Sequence, residues 1–269
     1  MSELLLRVGH LYPELMNVYG DRGNIICLVG RCRRRGIAVE VDNLTEDREL
    51  LPGFHDLLFM GGGQDREQKR VADDLRGSKA EALRRAVEDD TVVLAICGAY
   101  QLMGHYYRPA EGPDLPGAGV FDLVTVHKGA HVPRCIGNVV ARWRDGLLVG
   151  FENHGGRTYL GAVSPLARVI IGHGNNSEDG TEGALYRRAF GTYLHGSLLP
   201  KNPAFADHLI ALAVSHRYGP VALSPLDDSL EQRAHAAAIR RATTWPARLR
   251  RLRQRLRRNS SPGARTVRA

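Results

Sequence analysis

Thr91-Val-Val-Leu-Ala-Ile96-Cys97-Gly-Ala-Tyr-Gln101-Leu-Met-Gly104 is the stretch on which the reading of this chain turns. The apolar, β-forming run before Cys97 predicts a buried strand, and the small residues at 98 and 99 let the chain reverse sharply into a helix. A cysteine is thereby presented at a strand-to-helix elbow. A helix N-terminus carries about half a positive elementary charge, which favours a thiolate over a thiol. The same residue could equally be a small buried hydrophobe. Its chemistry therefore depends on what else converges on it.

Working outward, residues 4–8 read as a strand, 24–35 as a helix, 36–41 as a strand, 55–60 as a strand, and 65–76 and 79–89 as helices. Strands separated by helices of this length imply βαβ units and a mostly parallel sheet. From residue 119 the pattern changes to short apolar segments at 119–126, 136–142, 147–151, 168–171 and 189–194, divided by Gly, Asn, Asp and Pro. These predict antiparallel strands or a β-rich lobe attached to the parallel sheet. A helix over 202–218 follows, with Pro203 in its first turn and Gly219-Pro220 to stop it. The expected organisation is one α/β domain over residues 1–220 and a basic tail over 221–269, partly helical and then disordered.

The 269 residues suffice for one large core. No stretch approaches 18 consecutive apolar residues, and the N-terminus lacks a secretory signal's basic start, so a cytoplasmic location is expected. The four cysteines, at 27, 32, 97 and 135, form no CxxC pair or zinc-type cluster. His127 and His131 lie four apart in a Gly- and Pro-containing segment without a carboxylate motif, and no metal is expected. Residues 233–269 hold twelve arginines and no Asp, Glu or Lys, leaving a net −4 for the preceding 232 residues out of an overall +8. The folded part is mildly acidic, which argues against a specific nucleic-acid binder; weak contact of the tail with an anionic surface is allowed.

Three further features point toward Cys97. Met60-Gly-Gly-Gly-Gln64 follows a buried strand, so its backbone could approach a ligand and this turn could supply one oxyanion donor, with the amide following Cys97 as the other. It is neither a dinucleotide fingerprint nor a phosphate-binding loop, and no GxxxxGK[ST] occurs in the chain. Gly191-Thr-Tyr-Leu-His195-Gly196 reads as a strand ending in a histidine, a base for the thiol and an acid for a leaving amine. His131-Val-Pro-Arg134 offers a guanidinium that could pair bidentately with a substrate carboxylate.

The glycine turn, Cys97-Gly-x-x-Gln101 and Gly191-Thr-Tyr-Leu-His195-Gly196, in that order, resemble the class I glutamine amidotransferases of the cobyric-acid-synthase type. Within that group, Leu11-Tyr-Pro-Glu-Leu-Met-Asn-Val-Tyr-Gly-Asp-Arg-Gly-Asn24, Phe151-Glu-Asn-His-Gly-Gly-Arg-Thr158 and Leu199-Pro-Lys-Asn-Pro203 are similar to the GatD-type subunits of lipid II isoglutaminyl synthases. The resemblance covers roughly residues 2–218 and finds no counterpart for the tail.

This resemblance implies a flavodoxin-like α/β fold and a glutaminase that forms a heterodimer with a MurT-like subunit of the Mur-ligase family. That subunit would use ATP and Mg to amidate the α-carboxylate of D-glutamate in the lipid II stem peptide to D-isoglutamine; this chain itself would need no cofactor. Carried over by position, Cys97 is the nucleophile, His195 the acid/base, Arg134 the anchor for the L-glutamine carboxylate, Gln101 a pocket-lining residue, and Gly62 and Gly98 the oxyanion hole. One departure stands out. Many family members carry a Glu two residues after the histidine; here Ser197 stands there, so either the site runs as a Cys–His dyad or an acid comes from elsewhere, and the expectation is that the docked partner supplies it. Alternatives are a stand-alone γ-glutamyl hydrolase or glutaminase, a cobyrinate-type amidotransferase, or a pseudoenzyme that stabilises a ligase.

Overall fold

The computed structural model describes residues 4–259, with side chains to residue 244. Elements in chain order are β1 (Leu5–Leu11), α1 (Arg22–Arg33), β2 (Ala38–Leu44), β3 (Leu57–Met60), α2 (Asp65–Asp74), α3 (Ser78–Glu88), β4 (Val92–Ile96) and α4 (Gly98–Leu102). The β-rich half follows: β5 (Tyr106–Arg108), β6 (Leu115–Pro116), β7 (Leu123–His127), β8 (Cys135–Trp143), β9 (Gly146–His154), β10 (Gly156–Leu160), β11 (Ala167–Ile171), β12 (Thr181–Glu182), β13 (Ala184–Tyr186) and β14 (Ala189–Thr192). Two helices close the chain, α5 (Pro203–Tyr218) and α6 (Ser229–Asn259).

The central sheet has six strands in the order β13-β14-β4-β3-β1-β2, parallel except for β13. β3 and β4 are apolar and buried along their whole length, as strands covered on both faces must be. The chain runs outward from β1 to β2 in one direction and through β3 and β4 in the other, so the sheet has a switch point beside β1. Open α/β sheets bind ligands outside the carboxyl ends of their strands at such a point. The loops after β1, β3, β4 and β14 all emerge there.

The later segments form two four-stranded sheets, β10-β7-β5-β6 and β12-β11-β8-β9. The segment at 189–194 departs from its neighbours: β14 returns to the central sheet, parallel to β4, with Thr192 opposite Ile96. Residues beyond 220 also pack on the fold. Ala238, Ile239 and Ala242 of α6 cover Val140, Leu147, Val149 and Ile171 on the β8–β9 face. The buried Arg31 of α1 holds both Asp207 (2.6 Å) of α5 and Asp228 (2.7 Å). The disorder expected over residues 259–269 meets α6 at Asn259, which ends that helix; residues 260–269 lie outside the described residues.

Candidate active site

The elbow is built as the strand-then-small-residue pattern requires. Cys97 ends β4 and starts α4 with φ 50° and ψ −102°, a strained conformation for a residue with a side chain. Its amide donates to Thr192 O (2.8 Å) and its carbonyl accepts from Gln101 N (2.9 Å), so both neighbours in space fix the turn. Only glycine can follow it, because a Cβ on Gly98 would stand 2.8 Å from the amide nitrogen of Gly63.

β14 carries the histidine to the same end of the sheet. Three residues after Thr192 leaves the ladder, His195 exchanges backbone bonds with Phe151 of β9, donating to its carbonyl at 2.7 Å. The β-rich half thus fixes the histidine while the parallel half fixes the cysteine. His195 is fully buried. Gly62 lies between the two: a Cβ there would meet His195 Cε1 at 2.6 Å and Cys97 Cβ at 3.5 Å.

An acid also reaches the histidine, from within this chain. Asp21 Oδ2 lies 3.4 Å from His195 Nδ1, an ion-pair distance longer than a hydrogen bond, and both side chains are out of solvent. The chain's own Asp21 therefore already faces His195, where the expectation was that the docked partner supplies an acid. The signal was in the long N-terminal motif. Asn24 Oδ1 accepts from Leu199 N (2.9 Å) and Asn24 Nδ2 donates to Asp21 O (3.0 Å), tying the start of α1 to the loop after the histidine. Ser197 has a structural part in this clamp, its hydroxyl donating to Gly20 O at 2.7 Å. Burial pulls the His195 imidazole toward its neutral form, but the Cys97 sulfur and then Asp21 outweigh it and raise its pKa to about 10.

The amide of Gly62 donates to Asp21 Oδ2 (2.7 Å). It is thus committed to holding the carboxylate and is not free for an oxyanion, contrary to the role expected from the glycine turn. The next amide, Gly63, is the one that abuts Gly98.

A cavity of about 470 Å³ opens over these groups, lined among others by Cys97, His195, Gln101, Arg134, Asn153 and Tyr19. Its size is in the range of small-molecule sites. Gln101 is buried; its Oε1 accepts from Gln68 Nε2 (2.8 Å) and its Nε2 donates to Tyr193 Oη (3.1 Å). Gln68, which the sequence did not single out, also reaches Gly98 O (3.3 Å). Arg134 sits at the opposite rim, Nε donating to Asn153 Oδ1 (2.9 Å) and Nη2 to Asn153 O (3.1 Å). His154 lies stacked on Tyr193 at 3.6 Å, its Nδ1 2.8 Å from Gly156 O; burial holds its pKa below the ordinary value.

Known proteins resemble this chain. A family model described as the CobB/CobQ-like glutamine amidotransferase domain matches residues 7–203. The chain is 40% identical over 231 residues to the lipid II isoglutaminyl synthase (glutamine-hydrolyzing) subunit GatD of Streptococcus pneumoniae, covering 84% of this chain and 88% of that protein. It is 39% identical over 238 residues to the GatD subunit of Staphylococcus aureus, covering 88% of this chain and 96% of that one. Spans of 84% and 88% of 269 residues do not fit within residues 1–220, so the likeness enters the segment for which no counterpart was expected. Among solved structures, one described as a glutamine amidotransferase superposes with a TM-score of 0.54 at 16% identity, covering 77% of this chain and 98% of that one. That likeness concerns the fold.

Proposed function

The chain belongs to the CobB/CobQ-like glutamine amidotransferase family, and from that premise we propose that Cys97 and His195 hydrolyse glutamine to glutamate and ammonia. The observation that carries this reading is the meeting of the cysteine elbow, a buried histidine whose pKa is raised, and an arginine in one cavity. The Cys97 thiolate adds to the side-chain carbonyl carbon of glutamine, whose oxygen becomes an oxyanion facing the amides of Gly63 and Gly98. His195 gives its proton to the departing nitrogen; ammonia leaves and a γ-glutamyl thioester remains. Water, losing a proton to His195, then cleaves the thioester and restores the thiolate. Asp21 acts through the imidazole as a positioning residue, and Arg134 receives the substrate α-carboxylate.

The ammonia is passed to a MurT-like subunit of the Mur-ligase family in a heterodimer. There ATP and Mg activate the α-carboxylate of D-glutamate in the lipid II stem peptide, which becomes D-isoglutamine. The names and near-complete coverage of the two GatD relatives support this assignment. A cytoplasmic site of action suits a precursor built with ATP, and among the described residues no helix is long and apolar enough to cross a membrane. By composition, residues 1–220 make up the amidotransferase and 221–269 a basic extension, whose α6 nonetheless packs back on the β8–β9 face.

The test is glutamine- and ammonia-dependent amidation of lipid II by the chain together with its ligase subunit. Cys97→Ala is expected to abolish glutamine hydrolysis and glutamine-dependent amidation while leaving amidation from added ammonium intact. Unchanged glutamine hydrolysis in that variant refutes the reading.

A further inference from the structure

Tyr19 and Gly20 are consecutive left-handed residues, φ 60° and 76°, directly before Asp21. A bulky side chain holds that conformation only when its surroundings over-determine it. Here the surroundings are the site itself. The Tyr19 ring stands edge-on to His195 at 5.1 Å between centroids and to Phe151 at 6.0 Å, so it roofs the imidazole on the cavity side. Its hydroxyl oxygen accepts a hydrogen bond from Asn153 Nδ2.

Asn153 has a second duty. Its Oδ1 and its backbone carbonyl accept from Nε and Nη2 of Arg134 at 2.9 and 3.1 Å. The orientation of the amide follows: a guanidinium can only donate, so the oxygen must face Arg134 and the NH2 must face Tyr19. Asn153 is itself rigid, being paired with Ile136 in the β8–β9 ladder. The remaining Nη1 of Arg134 lies at the rim beside Gly155, which leaves it for an incoming carboxylate.

We propose that Asn153 is a positioning residue that ties the carboxylate anchor Arg134 to Tyr19, the roof over His195, so that occupancy of the anchor and closure of the roof act as one unit. The proposal rests on the glutaminase reading. Tyr19 lies two residues before Asp21, so displacing the ring also disturbs the loop that presents the carboxylate to His195. Substrate held at one rim thereby steadies the catalytic pair at the other.

The experiment is a double-mutant cycle on glutamine hydrolysis, measured on the full chain in complex with its ligase subunit, with thermal melting as a check on folding. Tyr19→Phe keeps the ring and removes only the hydroxyl. It is expected to lower kcat about tenfold with KM changed by less than about threefold. Asn153→Ala is expected to lower kcat by a similar factor and also to raise KM, since Arg134 loses its brace. In the double variant kcat is expected to match Asn153→Ala alone, because both changes break the same connection. A double loss nearer the product of the two single losses, or a Tyr19→Phe kcat within about twofold of the parent, overturns the proposal. Cys97→Ala run in parallel reports on the glutaminase reading by itself, so the two failures are told apart.

Discussion

His195 is a buried imidazole whose pKa is raised because the Cys97 sulfur and Asp21 face it. Burial alone would favour the neutral ring; the Cys97 sulfur and Asp21 reverse the sign and place the pKa at about 10. The charged form therefore persists as pH rises through the ordinary histidine range and is lost only as pH passes through about 10. In the pH profile of kcat/KM for glutamine hydrolysis, the alkaline limb attributable to His195 is expected near that value. Asp21→Asn removes a charge that favours imidazolium, so the limb is expected to move toward neutral pH and kcat/KM at pH 7.5 to fall by about tenfold or more. An unshifted limb would show that Asp21 does not govern this histidine. At this scale Cys97, His195, Arg134 and Gln101, all singled out in the chain, come together around one cavity. Asp21 was not singled out: a lone aspartate in Gly-Asp-Arg-Gly looks like turn chemistry, and its partner lies far along the sequence.

The short strand β12 shows what was hidden at the level of elements. Its Glu182 is fully buried, with Oε1 accepting from Thr192 Oγ1 (2.5 Å) and Tyr193 N (2.9 Å), immediately ahead of His195 in the fold. Burial raises its pKa from 4.5 to about 7, the bonds from Thr192 and Tyr193 offsetting part of the shift and the nearby Glu152 adding to it. A carboxyl with a raised folded pKa contributes stability that is present below its unfolded pKa and is lost as pH rises through its folded one. The window here runs from about 4.5 to about 7. Glu182→Gln keeps an acceptor for both donors and removes the ionisation. Its melting temperature is expected to vary less between pH 5 and 8 than that of the parent, with a relative gain at pH 8 of ~2 kcal/mol. Parallel pH–Tm curves for the two proteins would count against this account. β4, β14, α1 and α5 were readable because each carries a sustained apolar pattern or clear stop signals. β12 and β13 are two and three residues long, too short for any period to register.

For the whole molecule, the consequential surprise is how the chain after residue 220 is used. The Ala- and Arg-rich composition suggested a solvated tail, yet Arg31 is buried between Asp207 and Asp228, and α6 lays Ala238, Ile239 and Ala242 on the β8–β9 face. Ending the chain at residue 220 would uncover Val140 and Val149 and leave Arg31 with one carboxylate instead of two. A loss of about 3–5 kcal/mol is expected, read as a lowered melting temperature. A truncated chain that melts with the parent would restore the boundary at 220 as an energetic one. Arg134 directly precedes β8 and Asn153 lies in β9, so this helix braces the same lobe that carries Arg134.

The sequence by itself determined the parallel core, the cysteine elbow and a histidine just past a strand of that core, because each is written in local pattern: apolar runs, small residues at a turn, the spacing of breakers. Only the tertiary structure decided which carboxylate faces His195, which glycine amide is spent on it, and that Asn153 joins Arg134 to Tyr19. Those choices depend on groups brought together across the sheet from distant parts of the chain. Burial and electrostatics act on such neighbours in space, and no local pattern encodes them.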